Sequence, residues 1–320
     1  MKWFKFGLIF NPENHIDKFG KILFAQSPQT LVFDDFVRIY FSSRTLDDRG
    51  KFLSKVYFID YDLNQHRVIN FSTNDVIELG SLGSFDEHGI FPINLLRDNA
   101  EIFAITCGWS RRVSVPVETS IGLAKSFDEG RTFQKVGKGP ILSSSVSEPM
   151  LVGDGFVLKE AESKYHMWYI FGKKWIQSTL NEPPARVYKI GYAISEDIIN
   201  WKKFDGIQII EDKLNENECQ ALPSVIEFNG KYHMVFCYRY ATDFRKNKNR
   251  GYKLGYAHSI DLKNWTRDDK ALGIDQDCDS WELQMMCYPH FFKFRDQVFI
   301  LYNGNDFGKN GFGLAKLIQE

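Results

Sequence analysis

Four acidic side chains stand just ahead of apolar, strand-like segments: Asp86 and Glu87 in one place, Glu148 in a second, Glu218 in a third. Carboxyl groups working in pairs can protonate a leaving oxygen and activate, or act as, a nucleophile. Arg44, Lys174 and Arg239 stand just after other apolar and aromatic segments. Arginine offers a planar fork that fits a carboxylate or phosphate. Trp109 and Trp175 add flat ring faces, and Gln220, Asn303 and Asn305 add amides. His88 and Glu282 occupy comparable positions. Acids, forked cations, indoles and amides together suit a ligand that is both polyhydroxylated and anionic, such as a sugar or a glycosyl phosphate.

Residues this far apart in the chain need a regular scaffold to meet. One is visible. A short apolar strand, a polar turn and an aromatic-rich second strand recur five times, starting at Pro28, Pro92, Phe156, Pro223 and Pro289. Such a hairpin cannot bury both faces alone, so copies at near-even spacing must stack. Strand pairing then sorts the polar residues, because the start of one strand and the end of its antiparallel partner share one end of the hairpin. The entry set is Gln26, Ser27, Asp86, Glu87, His88, Glu148, Asp154, Glu218, Gln220, Trp281, Glu282 and Gln284. The exit set is Ser43, Arg44, Trp109, Lys173, Lys174, Trp175, Tyr238, Arg239, Asn303, Asn305 and Asp306. Asp34-Asp35, Asp98-Asn99, Asn229-Gly230 and Arg295-Asp296 fall at the other end and are ordinary turn chemistry.

A second module follows most hairpins, as in Ile121-GLAKSFDEGRTF, Ile190-GYAISEDIINW and Leu254-GYAHSIDLKNW. Each starts as an alternating strand, turns at a Ser-x-Asp segment and reaches an aromatic that opens a fourth strand. The expected fold is all-β, a single five-bladed β-propeller over residues 1–320 with four antiparallel strands per blade. The last copy stops one strand short, so the N-terminal segment Trp3-FKFGLIF is expected to supply its outer strand and close the ring.

Composition narrows the function classes. The formal net charge is −1, which provides no global field for nucleic acid or an anionic membrane surface. The basic stretch Phe244-RKNKNRGYK reads as a solvated loop. No apolar run is long enough for a membrane span, and the N-terminus makes a poor signal peptide. Cys107, Cys219, Cys237, Cys278 and Cys287 are dispersed and odd in number, so no disulfide framework or zinc site is expected. A reducing cytoplasm is the expected setting, and the sequence indicates no cofactor and no metal ligand set. His166 and His233 recur inside second strands and read as structural, while His290 alone is too little for a metal site.

The segments Tyr165-HMWY, Ile190-GYAISEDIINW, Tyr232-HMVFCYR, Leu254-GYAHSIDLKNW, Cys287-YP and Tyr302-NGNDFGKNGFGLA resemble the five-bladed β-propeller glycosidases. These are the superfamily of glycoside hydrolase families 32, 43 and 130. The resemblance implies an enzyme acting on a glycosidic bond: a hydrolase, phosphorylase or transglycosylase. In the hydrolases it implies an acidic residue in the first copy, where this chain has Gln26-Ser27-Pro28. In the mannoside phosphorylases it implies one carboxylic acid and a phosphate held by basic residues. The substitution in the first copy also leaves open a non-catalytic, sugar-binding or scaffold propeller.

Overall fold

The structure is a computed structural model that describes residues 1–19, 22–177, 179, 182–276 and 281–319. Cys278 lies outside the described residues. Strand β1 (Lys2–Phe10) leads the chain. A first meander follows with β2 (Leu23–Val32), β3 (Val37–Leu46), β4 (Phe52–Asp62) and β5 (Arg67–Phe71). The second has β6 (Gly89–Asp98), β7 (Glu101–Arg111), β8 (Val117–Ser126) and β9 (Gln134–Lys135). One parallel bridge, Ser54 to Gly89, joins these two into an eight-stranded sheet. The third contains β10 (Val152–Ala161), β11 (Lys164–Ile176), β12 (Ala185–Ser195) and β13 (Trp201–Lys203). The fourth contains β14 (Glu218–Phe228), β15 (Lys231–Tyr240), β16 (Lys253–Ser259) and β17 (Thr266–Arg267). The last has β18 (Cys287–Phe294), β19 (Gln297–Asn303) and β20 (Phe312–Gln319), and β1 pairs antiparallel with β20 as its outer strand.

Why these segments fold this way is local. Apolar and aromatic side chains alternate along the middle strands, and Trp168, Tyr169, Tyr40 and Phe236 are fully buried between sheets. The Ser-x-Asp modules make tight turns. Asp197 accepts from the backbone N–H groups of Ile199 and Asn200 and from the Asn200 amide, and the Trp201 indole donates to Ile198 O. Those donors, Asn200 foremost, pull the Asp197 carboxyl down to about 2. Asp261, Asn264 and Trp265 repeat the arrangement. His166 and His233 likewise bond Tyr192 and Tyr256 within their own sheets.

The first strand of each meander packs on the first strand of the next: β2 on β6, β6 on β10, β10 on β14, β14 on β18, and β18 on β2. Polar side chains stitch these contacts. Asn94 donates to Gln29 at 3.2 Å and accepts from Val157 N–H at 3.1 Å. Asp154 accepts from Leu222 N–H, and Ser224 Oγ accepts from Phe291 N–H. His290 Nε2 accepts from Thr30 N–H, which leaves its Nδ1 hydrogen facing Ser224 Oγ. Burial pushes the His290 imidazole down to about 3, consistent with a neutral ring.

Each of these inner strands also breaks register near its start. The irregular pairs are Ser27-Pro28, Phe91-Pro92, Asp154-Gly155, Leu222-Pro223 and Tyr288-Pro289. Ser27, Asp154, Leu222 and Tyr288 have φ between 51° and 54°, the left-handed region. Non-glycine residues there cost on the order of 1–3 kcal/mol each. The bulges re-aim one residue per strand at the same level of the fold.

Replacing Asn94 by Leu keeps the volume but strands Gln29 and the Val157 N–H in a buried setting. We expect a loss of about 2–4 kcal/mol in chemical denaturation. A loss below about 0.5 kcal/mol would show that these bonds do not tie the inner strands together.

Candidate active site

The mouth end of the inner strands contains the acids expected from the sequence, but most are engaged. Asp86, Glu148 and Glu282 precede β6, β10 and β18, Glu218 opens β14, and all four are buried. Each meets a cation on the outermost strand of its own meander. Asp86 lies 2.5 Å from Lys135, Glu148 2.8 Å from Lys203, Glu218 2.6 Å from Arg267 and Glu282 2.7 Å from Lys5. Glu148 also accepts from the Tyr169 hydroxyl and Gly206 N–H, and Glu218 from Gln220 and the N–H groups of Lys213 and Leu214. A carboxylate surrounded by fixed donors has little capacity left for substrate. Recurrence in four meanders also points to a structural device, since an acid and a base need environments that differ.

Several expected ligand-binding groups are similarly placed. Gln220 bonds Glu218, Asp212 and the carbonyls of Ile210 and Glu211. Asn303 accepts from Ser27 N–H and donates to Ala25 O and Gly311 O. Asn305 accepts from Gln284 N–H. Lys174 pairs with the exposed Glu216 at 3.0 Å. Nearer the solvent, Glu87 accepts from Gly83 N–H, and His88 stacks on Trp109 with ring centroids 5.8 Å apart. Burial and the charge of Arg111 lower the His88 pKa, so its ring is neutral above the ordinary histidine range. Trp175 faces Arg186 across the β11–β12 ladder.

Asp154 is differently placed. The β10 bulge aims it inward, its Oδ2 accepts from Leu222 N–H at 3.3 Å, and it is 8 % exposed. Burial raises its pKa to about 7, against the opposing pull of Arg186 and the Leu222 N–H. No second carboxylate acts on it among the described residues. It is therefore an acid balanced between its two forms near neutrality, the condition for general acid catalysis.

Guanidinium groups surround this level of the fold. Arg186 and Arg239 lie 5.6 and 5.5 Å from the Tyr188 ring centroid. Arg239 donates to the Tyr188 hydroxyl, which bonds the Tyr252 hydroxyl at 2.6 Å. It also lies 3.6 Å from the Phe244 ring, and Arg245 stands 4.6 Å from Phe307. Arg44 donates from Nε to Gln26 Oε1 at 2.9 Å between the Phe24 and Phe52 rings. Burial, with the like charges of Arg245 and Arg186, holds the Arg44 pKa below the ordinary arginine value. None of Arg44, Arg186, Arg239 and Arg245 has a carboxylate partner among the ion pairs of the described residues. Tyr288, Phe91, Tyr252 and Phe307 add aromatic walls, with the Phe91 and Tyr288 centroids 5.4 Å apart. Among the described residues no cluster of metal-ligating side chains occurs.

Known proteins resemble this chain in sequence and in fold. No protein-family model matches the chain. "Uncharacterized protein MT1551" and "Uncharacterized protein Rv1502" of Mycobacterium tuberculosis are each 30% identical over 317 residues, 99% of this chain and 99% of each relative. A β-1,2-mannobiose phosphorylase of Thermoanaerobacter is 31% identical over 108 residues, 32% of this chain and 33% of that protein. Among solved structures, a glycoside hydrolase superposes with a TM-score of 0.73 at 14% identity, covering 99% of this chain and 92% of that one. The β-1,2-mannobiose phosphorylase of Listeria innocua, solved with β-1,2-mannobiose, superposes at 0.66 and 10% identity, covering 99% and 97%.

The chain belongs to the family of the two mycobacterial proteins, and it shares its fold with the glycoside hydrolase and the phosphorylase.

From the sequence, Asp154 has no role as an acid, and Arg186, Tyr188 and Tyr288 are missed; the stretch expected to be a solvated loop instead buries Tyr252 and sets Arg245 against Phe307. One signal is available. Four bulges read X-Pro, whereas the third reads Asp154-Gly155. Aligning copies on that position, not on Phe156, isolates one acid among Ser27, Phe91, Leu222 and Tyr288.

The two kinds of acid should respond oppositely to neutral substitution. Glu148→Gln and Glu218→Gln each leave a buried cation short of its partner and should cost about 3 kcal/mol. Asp154→Asn should stabilise. The Asp154 carboxyl titrates higher folded than unfolded, so its penalty is absent at acid pH, grows as pH rises from about 4 to about 7, and is constant above. The gain should reach at most about 4 kcal/mol. Melting curves across that range check both; an Asp154→Asn gain that did not grow with pH would contradict the placement of this acid.

Proposed function

We propose that this protein breaks a glycosidic bond by phosphorolysis, or makes one from a glycosyl phosphate, at the axis of a closed five-bladed propeller. The succession of inner-strand contacts around to β18 and β2, and the pairing of β1 with β20, support the ring. The observation that carries the function is the isolation of Asp154 beside arginines that lack carboxylate partners. Hydrolysis in the usual manner needs two carboxyl groups, one acid and one base or nucleophile. A single acid suffices when phosphate is the nucleophile. The partial match to a β-1,2-mannobiose phosphorylase supports the same choice.

The chemistry is a single displacement. Asp154 gives its proton to the bridging oxygen, which departs with the electron pair of the broken bond. A phosphate oxygen forms the new bond at the anomeric carbon from the opposite face, so configuration inverts. Arg186 and Arg245, which have no hydrogen-bond acceptor among the described residues, hold the phosphate, and buried Arg239 adds positive potential behind them. Asp154 leaves as a carboxylate and regains a proton before the next turnover. Trp109 and the aromatic walls pack against the sugar rings. A cytoplasmic setting fits, because an intracellular enzyme retains the sugar phosphate it makes.

Incubation with β-1,2-mannobiose and inorganic phosphate, followed by phosphorus NMR, tests this directly. Sugar 1-phosphate should appear, with a rate that falls as pH rises through about 7, where Asp154 loses its proton. Asp154→Asn should lower turnover about 10²–10⁴-fold, and Arg186→Gln should raise the KM for phosphate about tenfold or more. Free mannose without sugar phosphate would replace this reading with hydrolysis. Binding with no turnover for any disaccharide tried would replace it with a lectin-like role.

A further inference from the structure

Phosphorolysis brings one anion to the site, yet the mouth holds more positive charge than one phosphate uses. Arg44, Arg186, Arg239 and Arg245 are without carboxylate partners among the ion pairs of the described residues. Phosphate carries up to two negative charges near neutrality. Asp154, titrating at about 7, contributes a fraction of one. Cations brought together in a poorly solvated site repel one another, and Arg44 records that repulsion: the charges of Arg245 and Arg186 both act against its own.

Arg44 is also built for a ligand. Gln26 is 1 % exposed and fixed at both ends, accepting from Arg44 Nε at 2.9 Å and donating to Phe307 O at 2.5 Å. An amide aims the guanidinium without neutralising it. The Phe24 and Phe52 ring centroids lie 5.1 and 5.3 Å from the Arg44 Cζ atom and hold the group between them. Phe24 takes a left-handed φ of 70°, a strained conformation for a bulky side chain. The two terminal nitrogens of Arg44 have no protein acceptor among the described residues, so its bidentate edge is free.

We propose that Arg44, aimed by Gln26, binds a carboxylate or phosphoryl group carried by the sugar itself, so that the substrate is an anionic glycoside. This rests on the phosphorolysis reading only for the other anion at the site. A neutral sugar would leave the Arg44 fork desolvated and unpaired, and that asymmetry generates the selectivity.

Calorimetric titration of the full chain, with and without saturating inorganic phosphate, tests the idea. The probes are mannuronate, mannose 6-phosphate and mannose. One or both anionic sugars should bind at least tenfold tighter than mannose, and which one does so distinguishes a carboxylate from a phosphoryl group. In Arg44→Gln the preference should disappear while phosphate affinity changes less than about threefold. Arg44→Lys, which keeps the charge and loses the fork, should recover only part of it. Circular dichroism melts of both variants establish that they fold; if Arg44→Gln does not, the Lys variant and the wild-type preference decide. Equal binding of mannose and both anionic sugars, with phosphate still bound, overturns the anionic substrate and leaves phosphorolysis standing. Preference for an anionic sugar with no phosphate binding supports the Arg44 site and removes phosphorolysis.

Discussion

A buried acid tied to a cation on the far strand of its own meander is the constraint on which this structure depends. Asp86–Lys135, Glu148–Lys203, Glu218–Arg267 and Glu282–Lys5 repeat it four times. Each pair fastens the segment entering an inner strand to the edge that strand cannot touch. The desolvation of two charges is costly, and good geometry with added N–H donors is what makes it tolerable. The benefit is position: the entering segment cannot slide, so the bulge a few residues later is delivered to a fixed level. Edge and centre of these four meanders are thereby held as one unit.

The bulges turn this regularity into a site. Five strands present five residues at one level, and the fold allows each copy to vary its residue there without disturbing the frame. Ser27, Phe91, Leu222 and Tyr288 carry no carboxyl group, and burial pushes the Tyr288 phenol up; Asp154 is the one carboxyl among these five residues. Its acidity is set by its surroundings, chiefly its removal from water, with Arg186 restraining the shift. Symmetry supplies the scaffold, and one break in it places a carboxyl group at that level.

Much of the frame is legible from the chain alone, because alternation and turn chemistry are local. The modules around Asp197 and Asp261, the turns at Asn99 and Asn229, and the role of β1 beside β20 all follow from short stretches or from counting strands. The fate of the acids does not follow. Glu148 meets a lysine 55 positions away and Glu282 one 277 positions away, and nothing near either residue announces those partners. Acid and base chemistry and a buried ion pair use the same residue types, so only distance separates them. Asp154 is obscured for a different reason: Gly155 replaces the proline that marks the other copies, and an alignment anchored on the next aromatic residue skips past it.

The pairing of β1 with β20 has a consequence in time. On the ribosome, β1 emerges well before β20, the strand it pairs with. Until then an amphipathic strand bearing Phe4 and Leu8 has an unsatisfied edge. Pairing across nearly the entire chain is slow to find, since loop closure must precede any reward. The order of synthesis therefore makes the last meander the last to form, and it exposes the nascent chain to mispairing for as long as translation takes.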